Sequence, residues 1–475
     1  MPALSEVMAG AIDALVGTVF ATVPLWGVDV ELIVLWMAAP MLGLTVYFGF
    51  VNLRHFGTAR RVLAGRFHDD KAPGEISQFQ ALSTALSGTV GLGNIAGVAV
   101  AIAMGGPGAA FWMVAIGFFA MTLKFTEVTL SLKYRVEHED GTVSGGPMHY
   151  LSRGLAARGW PRAGRLLAWA YALFALPAML QLAQVNQSFS QIAAVTGLDN
   201  PAAAWGYGLL LAVLVAVVII GGIRSIARVT ARLVPAMALI YLAGGLTVLA
   251  VNVTEIPHAV AVILADALKP EAGFAGVIGA FVVGMRRAVF STEAGLGTAT
   301  IAHAAAKTRE PVSEGIVALM EPFIDTVVIC AMTALVIVVT GAYLTPGLDD
   351  VRITSAAFNS VLPGFDKVLA LAVFLFAFST IISWAYYTGK IWAFVFGGKR
   401  LSAALFKLLF CLALIPGAVF TVAQVFDVMD SLFFLMAVPN IIGIYWMAGE
   451  VRRDLADYQG RLRAGAIAIT ATKGR

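Results

Sequence analysis

Long apolar stretches alternate with short polar segments along almost the whole chain. A helix needs about 20 mainly apolar residues to cross a bilayer, and it satisfies its backbone hydrogen bonds internally, as the hydrocarbon requires. The pattern therefore predicts an all-α polytopic membrane protein with eleven transmembrane helices. The predicted spans are residues 30–52, 77–103, 108–132, 166–195, 204–221, 233–252, 274–303, 314–340, 366–395, 401–421 and 425–447.

The composition excludes most soluble functions. Of the 475 residues, 59% are hydrophobic and 13% are charged, whereas a soluble domain carries about 25% charged residues. Too few charges remain to cover a water-facing surface, so soluble enzymes and nucleic-acid-binding proteins are excluded. Cys330 and Cys411 both lie within apolar runs, without the spacing of a metal site or a disulfide framework.

Basic residues between the spans predict the orientation of the chain. Cytoplasmic loops of membrane proteins carry an excess of Lys and Arg. If the N-terminus lies outside, only Lys269, Arg352 and Lys367 fall in outer loops, and most of the 32 basic residues fall on the cytoplasmic side. The cytoplasmic segment before the sixth span contributes Arg224, Arg228 and Arg232. The charges therefore predict an N-out/C-in topology.

The second and seventh predicted spans carry similar glycine-rich interruptions. Residues 87–94 read SGTVGLGN, and residues 291–298, about half the chain further on, read STEAGLGT. Glycine inside a helix costs about 1 kcal/mol relative to alanine, so the clusters indicate either close packing through small residues or helices that unwind within the membrane. Two interruptions at corresponding positions of two halves are typical of secondary transporters with an internal repeat, which favours broken helices.

These interruptions also divide the chain into segments. Residues 75–252 are predicted to form a first five-helix repeat and residues 273–447 a second. An odd number of spans per repeat gives the two repeats opposite orientations. Residues 30–52 are an extra N-terminal span, residues 1–29 an interfacial segment, and residues 448–475 a basic cytoplasmic tail.

Unwound segments offer binding groups in the middle of the membrane. Their free carbonyl oxygens can ligate a cation, and the N-terminal end of the resumed helix offers N–H groups and a positive dipole to an anion. Hydroxyl and amide oxygens add hard donors for a cation. The polar side chains in the two interruptions are Ser87, Thr89, Asn94, Ser291 and Thr292. Together these groups predict a site for a small zwitterion and a cation.

Several long motifs resemble those of the alanine or glycine:cation symporter family, which belongs to the amino acid–polyamine–cation superfamily. The motifs occur in order between about residue 75 and residue 445. They are TVGLGNIAGVA, GGPGAAFW, SGGPMHYL, RAVFSTEAGLGTATIAHAAA, EPFIDTVVIC, FSTIISWAYYTGK and VPNIIGI. The resemblance implies a LeuT-type 5+5 inverted repeat, here with one extra N-terminal span, and symport of a small neutral amino acid with sodium.

The resemblance also implies which residues form the site. The implied substrate-binding residues are Gly91, Gly93, Asn94, Gln184, Phe290, Ser291, Thr380 and Trp384. The implied sodium ligands are Thr89, Ser379, Thr380 and Ser383. The chain departs from the family pattern at Leu92, at Thr292 and around Gln184, which leaves the choice of amino acid open.

Ionisable residues inside the spans are costly to bury and are candidates for function. Possible gating or coupling residues are Glu293, Glu321 and Asp325. The alternative is structural pairing inside the protein, as in Arg287–Glu293 or Lys124–Glu127. His303 is expected to pack through a hydrogen bond.

The predicted function is import of alanine or glycine coupled to sodium by alternating access, in the cytoplasmic membrane of a bacterium or archaeon. The expected partners are a small neutral amino acid, the sodium ion and membrane lipid. No nucleic acid, no obligate protein partner and no cofactor other than the coupling ion are expected. The alternatives are proton-coupled transport on the same fold and a non-transporting amino acid sensor. No H-E-x-x-H or comparable constellation indicates an enzyme.

Overall fold

The structure, a computed structural model, describes residues 2–467 apart from residues 26, 68, 70, 179, 269–272, 349–350 and 420–422. Lys269, which the sequence places in an outer loop, lies outside the described residues. The last residues of the predicted tail, 468–475, also lie outside them.

The N-terminal region combines short helices with one hairpin. Its elements are α1 (Pro2–Val19), β1 (Thr22–Leu25), β2 (Val28–Glu31), α2 (Leu32–Tyr47), α3 (Val51–Arg54) and α4 (Phe56–Leu63). The two strands pair antiparallel. The predicted first span thus consists of part of a hairpin, the apolar helix α2 and the short helix α3. At about 1.5 Å per residue, the 16 residues of α2 reach about 24 Å, somewhat less than the hydrocarbon thickness of about 30 Å.

The first predicted repeat is almost entirely helical. Its elements are α5 (Gln78–Thr89), α6 (Leu92–Gly105), α7 (Pro107–Lys133), β3 (Val136–Glu137), β4 (Val143–Ser144), α8 (Pro147–Ala156), α9 (Pro161–Ala178), α10 (Leu182–Thr196), α11 (Pro201–Ile219) and α12 (Gly222–Val251). A capping box between Ser77 and Gln80 begins α5. Gly106, at φ +78°, and Pro107 begin α7, since proline is preorganised for the first turn.

The second predicted repeat follows the short helix α13. The α-helices are α13 (Ile256–Leu268), α14 (Gly273–Thr292), α15 (Thr300–His303), α16 (Pro311–Ala318), α17 (Met320–Pro322), α18 (Ala331–Val339), α19 (Val351–Asn359), α20 (Phe365–Phe396), α21 (Arg400–Gly417) and α22 (Ala423–Arg463). A π-helical segment, Phe323–Cys330, joins α17 to α18, and short 3₁₀ helices cover Val253–Glu255 and Ala342–Leu344.

Within the described residues, ten helical segments are long and apolar enough to cross a membrane, and α2 is a shorter apolar helix. The eleven-span count therefore depends on α2 and stays a prediction. The α5–α6 segment is the most buried of the ten, with 82% of its apolar stretch inside the protein, and α21 the least, with 22%. The interrupted helix thus lies in the interior of the bundle.

Two predicted boundaries differ from the structure. Arg224, Arg228 and Arg232 lie in the first turns of α12 and not in a loop before it. A helix of 30 residues is about 45 Å long, so its basic first turns can project beyond the hydrocarbon. The last span is longer still, because α22 continues to Arg463 and the predicted tail begins as helix.

Both predicted interruptions are present. The first separates α5 from α6 at Val90 and Gly91, and the second separates α14 from α15 over residues 293–299. In the second, Gly295 and Gly297 have φ values of +90° and +73°, which glycine adopts without strain. A Cβ atom on Gly297 would lie 2.3 Å from Pro147 Cγ, so the unwound chain also needs glycine for close packing.

A third interruption was not predicted. The predicted continuous span 166–195 is divided into α9 and α10, and Gln181 between them has a φ of +56°. This interruption contains no glycine, so the pattern that indicated the other two does not reveal it. Its importance is its position, because it lies beside the other two.

Candidate functional site

The three interruptions meet at a small cavity of 120 Å³ inside the bundle. Each interruption contributes backbone or side-chain atoms, and α20 and α22 close the remaining sides. The lining residues are Gly88, Thr89, Gly91, Gly93, Ala178, Gln181, Leu182, Ala183, Gln184, Phe290, Glu293, Trp384, Met429, Asp430 and Phe433. Ligand pockets for drug-sized molecules measure about 300–1,000 Å³, so this cavity suits a ligand of only a few heavy atoms.

Glycines keep the first interruption open to the cavity. A Cβ atom on Gly91 would lie 3.2 Å from Thr380 Oγ1, and one on Gly93 would lie 3.4 Å from the Phe290 carbonyl oxygen. Both positions therefore bring the backbone of the first interruption close to its neighbours. The N-terminal turn of α6, with the positive end of its helix dipole, faces this space through Gly91 and Gly93.

Three aromatic rings form one wall of the cavity. The Phe290 and Phe433 rings stack with their centroids 5.2 Å apart, and the Phe433 and Trp384 rings stack at 6.0 Å. Trp384 Nε1 also donates a hydrogen bond to the Gly88 carbonyl, at 3.2 Å, which fixes the indole against the first interruption. Phe433 was missed by the sequence analysis, because nothing in the apolar run SLFFLMAV distinguishes it from a packing residue.

Gln184 supplies a free polar group at the cavity. Its Oε1 is buried and accepts no hydrogen bond from the protein, and it lies 3.9 Å from the position a Cβ on Gly91 would take. A buried polar atom without a partner is costly. Gln184 Oε1 is therefore available to a ligand. Glu293, also at the cavity, accepts a hydrogen bond of 2.6 Å from Thr298 Oγ1.

Five of the eight predicted substrate residues line the cavity, and the other three lie behind it. Asn94 Oδ1 accepts from the Gly91 N–H at 2.9 Å, and Asn94 Nδ2 donates to Ser291 Oγ and to the Asp325 carbonyl, both at 2.9 Å. Thr380 Oγ1 donates to the Ser87 carbonyl at 2.9 Å. These side chains tie the first interruption to its neighbours, and their direct contact with substrate stays a prediction.

Most of the predicted sodium ligands lie together at the end of α5. Ser87 Oγ donates to the Ser379 carbonyl at 2.6 Å, and Ser383 Oγ donates to Ser87 Oγ at 3.0 Å. Together with Thr380, these residues form a buried set of hydroxyl and carbonyl oxygens, the donors that hard cations prefer. The hydroxyl of Thr89 lies 3.5 Å from the carbonyl oxygens of Ala85 and Leu86 on its own helix.

A chain of buried charged residues lies on the other side of the second interruption. Lys124 Nζ forms a 3.0 Å salt bridge with Glu321 Oε1, and both side chains are fully buried. Glu321 Oε2 lies 3.7 Å from His303 Nε2, and His303 Nδ1 lies 2.7 Å from Glu314 Oε1. We call Lys124, His303, Glu314 and Glu321 the buried charge chain.

The buried charge chain corrects one predicted pairing. Lys124 forms its salt bridge with Glu321 rather than with Glu127, and Glu127 accepts a 2.7 Å hydrogen bond from Asn440 Nδ2. Lys124 still interacts electrostatically with Glu127 and Glu293. Asp325, one turn after Glu321, accepts from the Thr326 hydroxyl. The acidic candidates Glu293, Glu321 and Asp325 thus all interact electrostatically with Lys124.

One arginine closes the predicted cytoplasmic end of the bundle. Arg135 Nη1 donates to the carbonyls of Ala304 and Ala306, at 3.1 and 2.9 Å, and Nη2 donates to those of Pro73 and Thr308, both at 2.9 Å. These carbonyls belong to the chain before α5 and the chain after α15. We call this arrangement the Arg135 clamp. It joins the ends of the two interrupted helices.

Backbone pairing reinforces the Arg135 clamp. Ile76 and Ala306 form a parallel bridge, and the Lys307 N–H donates to the Ile76 carbonyl at 2.8 Å. A Cβ atom on Gly74 would lie 2.5 Å from the Ala306 carbonyl oxygen. The two chain segments therefore touch over several residues on the side predicted to face the cytoplasm.

Comparison with known proteins gives consistent matches over most of the chain. The profile of the sodium:alanine symporter family matches residues 12–471. The sodium/alanine symporter AgcS of Methanococcus maripaludis is 38% identical over 415 residues, which cover 86% of this chain and 90% of AgcS. An uncharacterized transporter of Haemophilus influenzae is 33% identical over 452 residues, 92% of this chain and 95% of that protein.

A solved structure shows the same fold. The crystal structure of MhsT in complex with L-phenylalanine matches 79% of this chain and 90% of MhsT, with a TM-score of 0.56 and 16% sequence identity. At this identity the match establishes the shared fold, which is of the LeuT type.

Proposed function

The chain belongs to the sodium:alanine symporter family, and from this premise we propose that it imports alanine or glycine together with sodium. Membership makes it a multi-pass membrane transporter and not an enzyme. The observation that carries the choice of substrate is the cavity of 120 Å³ at the three interruptions. Its small volume and its aromatic wall leave room for a short side chain only.

Each end of the amino acid has a proposed partner. The substrate carboxylate lies at the first turn of α6, beside Gly91 and Gly93, where N–H groups and the helix dipole favour an anion. The ammonium group lies near Gln184 Oε1 and the backbone at Phe290. Trp384, with the Phe433 ring stacked on it, limits the size of the side chain.

Sodium is proposed to bind between α5 and α20. Ser379, Thr380 and Ser383 supply hydroxyl or carbonyl oxygens there, Ser87 joins them through its hydrogen bonds, and Thr89 is a further proposed ligand from the end of α5. An ion at this position would link the first interruption to α20, which also carries Trp384. Binding of the ion and binding of the substrate would then favour each other, because coupling between two sites is reciprocal.

We also propose the full topology that the charges predict. In it, α2 is an eleventh span preceding two inverted five-helix repeats, and the chain is oriented N-out/C-in. Alternating access then requires the predicted cytoplasmic end to open, and the Arg135 clamp lies at that end.

Uptake into proteoliposomes tests the coupling. With an inward sodium gradient, we expect radiolabelled alanine to accumulate above its equilibrium level, and replacement of external sodium by potassium should abolish the accumulation. Sodium-independent, non-accumulating uptake would contradict symport. Accumulation driven by a pH gradient in sodium-free buffer would instead support proton coupling, which the buried Glu293, Glu321 and Asp325 favour as the second candidate. Binding of alanine without uptake would support a sensor.

Gln184→Leu tests the substrate site. A hydrogen bond to a charged group contributes about 1.5–3 kcal/mol, and about 1.4 kcal/mol corresponds to a tenfold change in affinity. The variant is therefore expected to bind alanine about 10- to 100-fold more weakly, as measured by calorimetry on the purified protein.

Gln191→Leu is the matched control. Gln191 lies on the same helix, α10, and is 3% exposed, but it does not line the cavity of 120 Å³. We expect this variant to keep the alanine affinity. If the Gln184 variant and the unaltered protein bind alanine with equal affinity, Gln184 does not contact the substrate.

A further inference from the structure

A second cavity lies at the predicted cytoplasmic end of the protein. Its volume is 560 Å³, and it shares no lining residue with the cavity of 120 Å³. It is bounded by the β3–β4 hairpin, by the junction of α11 and α12, and by the adjoining ends of α20 and α21. We call it the hairpin cavity. The substrate site does not account for it.

Two lysine ammonium groups lie in the hairpin cavity. Lys390 Nζ donates to the Val143 carbonyl at 2.7 Å and to Ser144 Oγ at 3.2 Å, and Lys407 Nζ donates to the Ile220 carbonyl at 3.1 Å. In the part of the chain that the structure describes, neither lysine forms a salt bridge with a carboxylate. Their hydrogen-bond partners are therefore neutral groups, and the carboxylates of Glu75 and Asp140 act on Lys390 through longer-range electrostatic attraction.

The other titratable groups of the hairpin cavity offset only part of the charge of the two lysines. Asp140 Oδ1 accepts from the Thr142 N–H at 2.9 Å and from the Thr142 hydroxyl at 2.7 Å, and the side chain is exposed to water. Burial, with Lys390 nearby, lowers the pKa of His149 to about 4, so this histidine is neutral at neutral pH. His138 is bonded to Ser144 Oγ at 3.0 Å. The hairpin cavity thus favours an anion.

The remaining walls of the hairpin cavity are apolar. Trp392 and Phe406 lie inside it, with ring centroids 5.7 Å apart. Beside it, Ile220, at the turn between α11 and α12, is 70% exposed, and Leu405 on α21 is 47% exposed. A soluble anion gains nothing from such walls, whereas an acyl chain attached to a phosphate does.

We propose that the hairpin cavity binds an anionic phospholipid, with its phosphate at Lys390 and Lys407 and an acyl chain against Trp392 and Phe406. Basic pockets between transmembrane helices on the cytoplasmic side suit anionic headgroups, and a charge-assisted hydrogen bond is stronger than a neutral one. The bound lipid joins α20, which carries Trp384 and the proposed sodium ligands, to α21 and the hairpin. It therefore stabilises the full-length protein.

Thermal unfolding and native mass spectrometry of the delipidated, detergent-solubilised protein test the proposal. We expect added phosphatidylglycerol to raise the Tm and to give a retained lipid adduct, and phosphatidylcholine to do neither. Lys407→Gln should weaken lipid retention at least tenfold. Lys390→Gln together with Lys407→Gln should abolish it.

A lysine outside the hairpin cavity and inorganic phosphate serve as the controls. Lys399→Gln, at the exposed start of α21 and outside the hairpin cavity, should retain lipid like the unaltered protein. Lys407 is used alone if loss of the Lys390–Val143 hydrogen bond prevents folding. Equal retention by the Lys407 and Lys399 variants would overturn the proposal. Equal protection by inorganic phosphate without lipid would overturn it as well, since the hairpin cavity would then bind a soluble anion.

Discussion

Lys124→Met is expected to lower the free energy of unfolding by about 3–5 kcal/mol, the cost of leaving one partner of a buried ion pair uncompensated. Lys124 and Glu321 are both fully buried and 3.0 Å apart. They join α7 to α17, on two different spans. Without the ammonium group, Glu321 keeps only the His303 imidazole, 3.7 Å from Oε2, as a partner, and its repulsion of Glu127 and Glu293 is no longer offset by Lys124. Thermal unfolding of the detergent-purified variant measures the loss.

Two further variants show whether the pair itself is responsible. Lys133→Met removes a lysine from the same helix, but the Lys133 side chain is 27% exposed in its salt bridges with Glu450 and Asp454. Partly exposed ion pairs contribute about 0–1 kcal/mol to stability. The Tm of this control should therefore stay close to that of the unaltered protein. Combining Lys124→Met with Glu321→Gln should recover most of the loss. A double variant no more stable than the Lys124 variant would contradict this account.

The pairing of Lys124 could not be read from the sequence. The sequence shows which charged residues lie inside spans, and Glu127, one turn away on the same helix, is the nearest candidate for a local pair. The actual partner lies on a span far along the chain. Only packing of the two helices decides between a local and a distant carboxylate.

The interruptions show what sequence can and cannot reveal about the site. The first two were predicted because clustered glycines are costly in a helix, and each contains such a cluster. The third was missed because Gln181 carries the positive φ in place of a glycine. Gln184 itself was placed at the site only through the family resemblance.

Within the interruptions, the sequence does not decide which side chains face the cavity. A regular helix presents residues three and four apart on one face, but an unwound segment has no such period. In the first interruption, Gly91 and Gly93 line the cavity, whereas the Asn94 side chain accepts a hydrogen bond from the Gly91 N–H. Asn94 is assigned to the substrate only through the family resemblance. In the structure its side-chain amide connects the two interrupted helices.

Arg135→Ala is expected to reduce the initial rate of uptake at least tenfold. The guanidinium group donates to four carbonyls beside the ends of the two interrupted helices. The Arg135 side chain is only 5% exposed. Without it, those carbonyls lose their donors, and the chain segments around Gly74 and Ala306 separate more easily. The predicted cytoplasmic end then opens before the substrate is enclosed. Uptake by proteoliposomes measures the loss.

A structural defect alone would also slow uptake, so the conformational effect needs its own measurement. A cysteine in place of Ala305, which is fully buried, should react with a thiol reagent several-fold faster when Arg135 is alanine. Arg153→Ala is the matched control, because the exposed Arg153 also donates to backbone carbonyls, those of Tyr134 and Arg135. It should change neither uptake nor labelling. Slow labelling of Ala305→Cys in the Arg135 variant, despite lost uptake, would show that the clamp supports the fold and does not control opening.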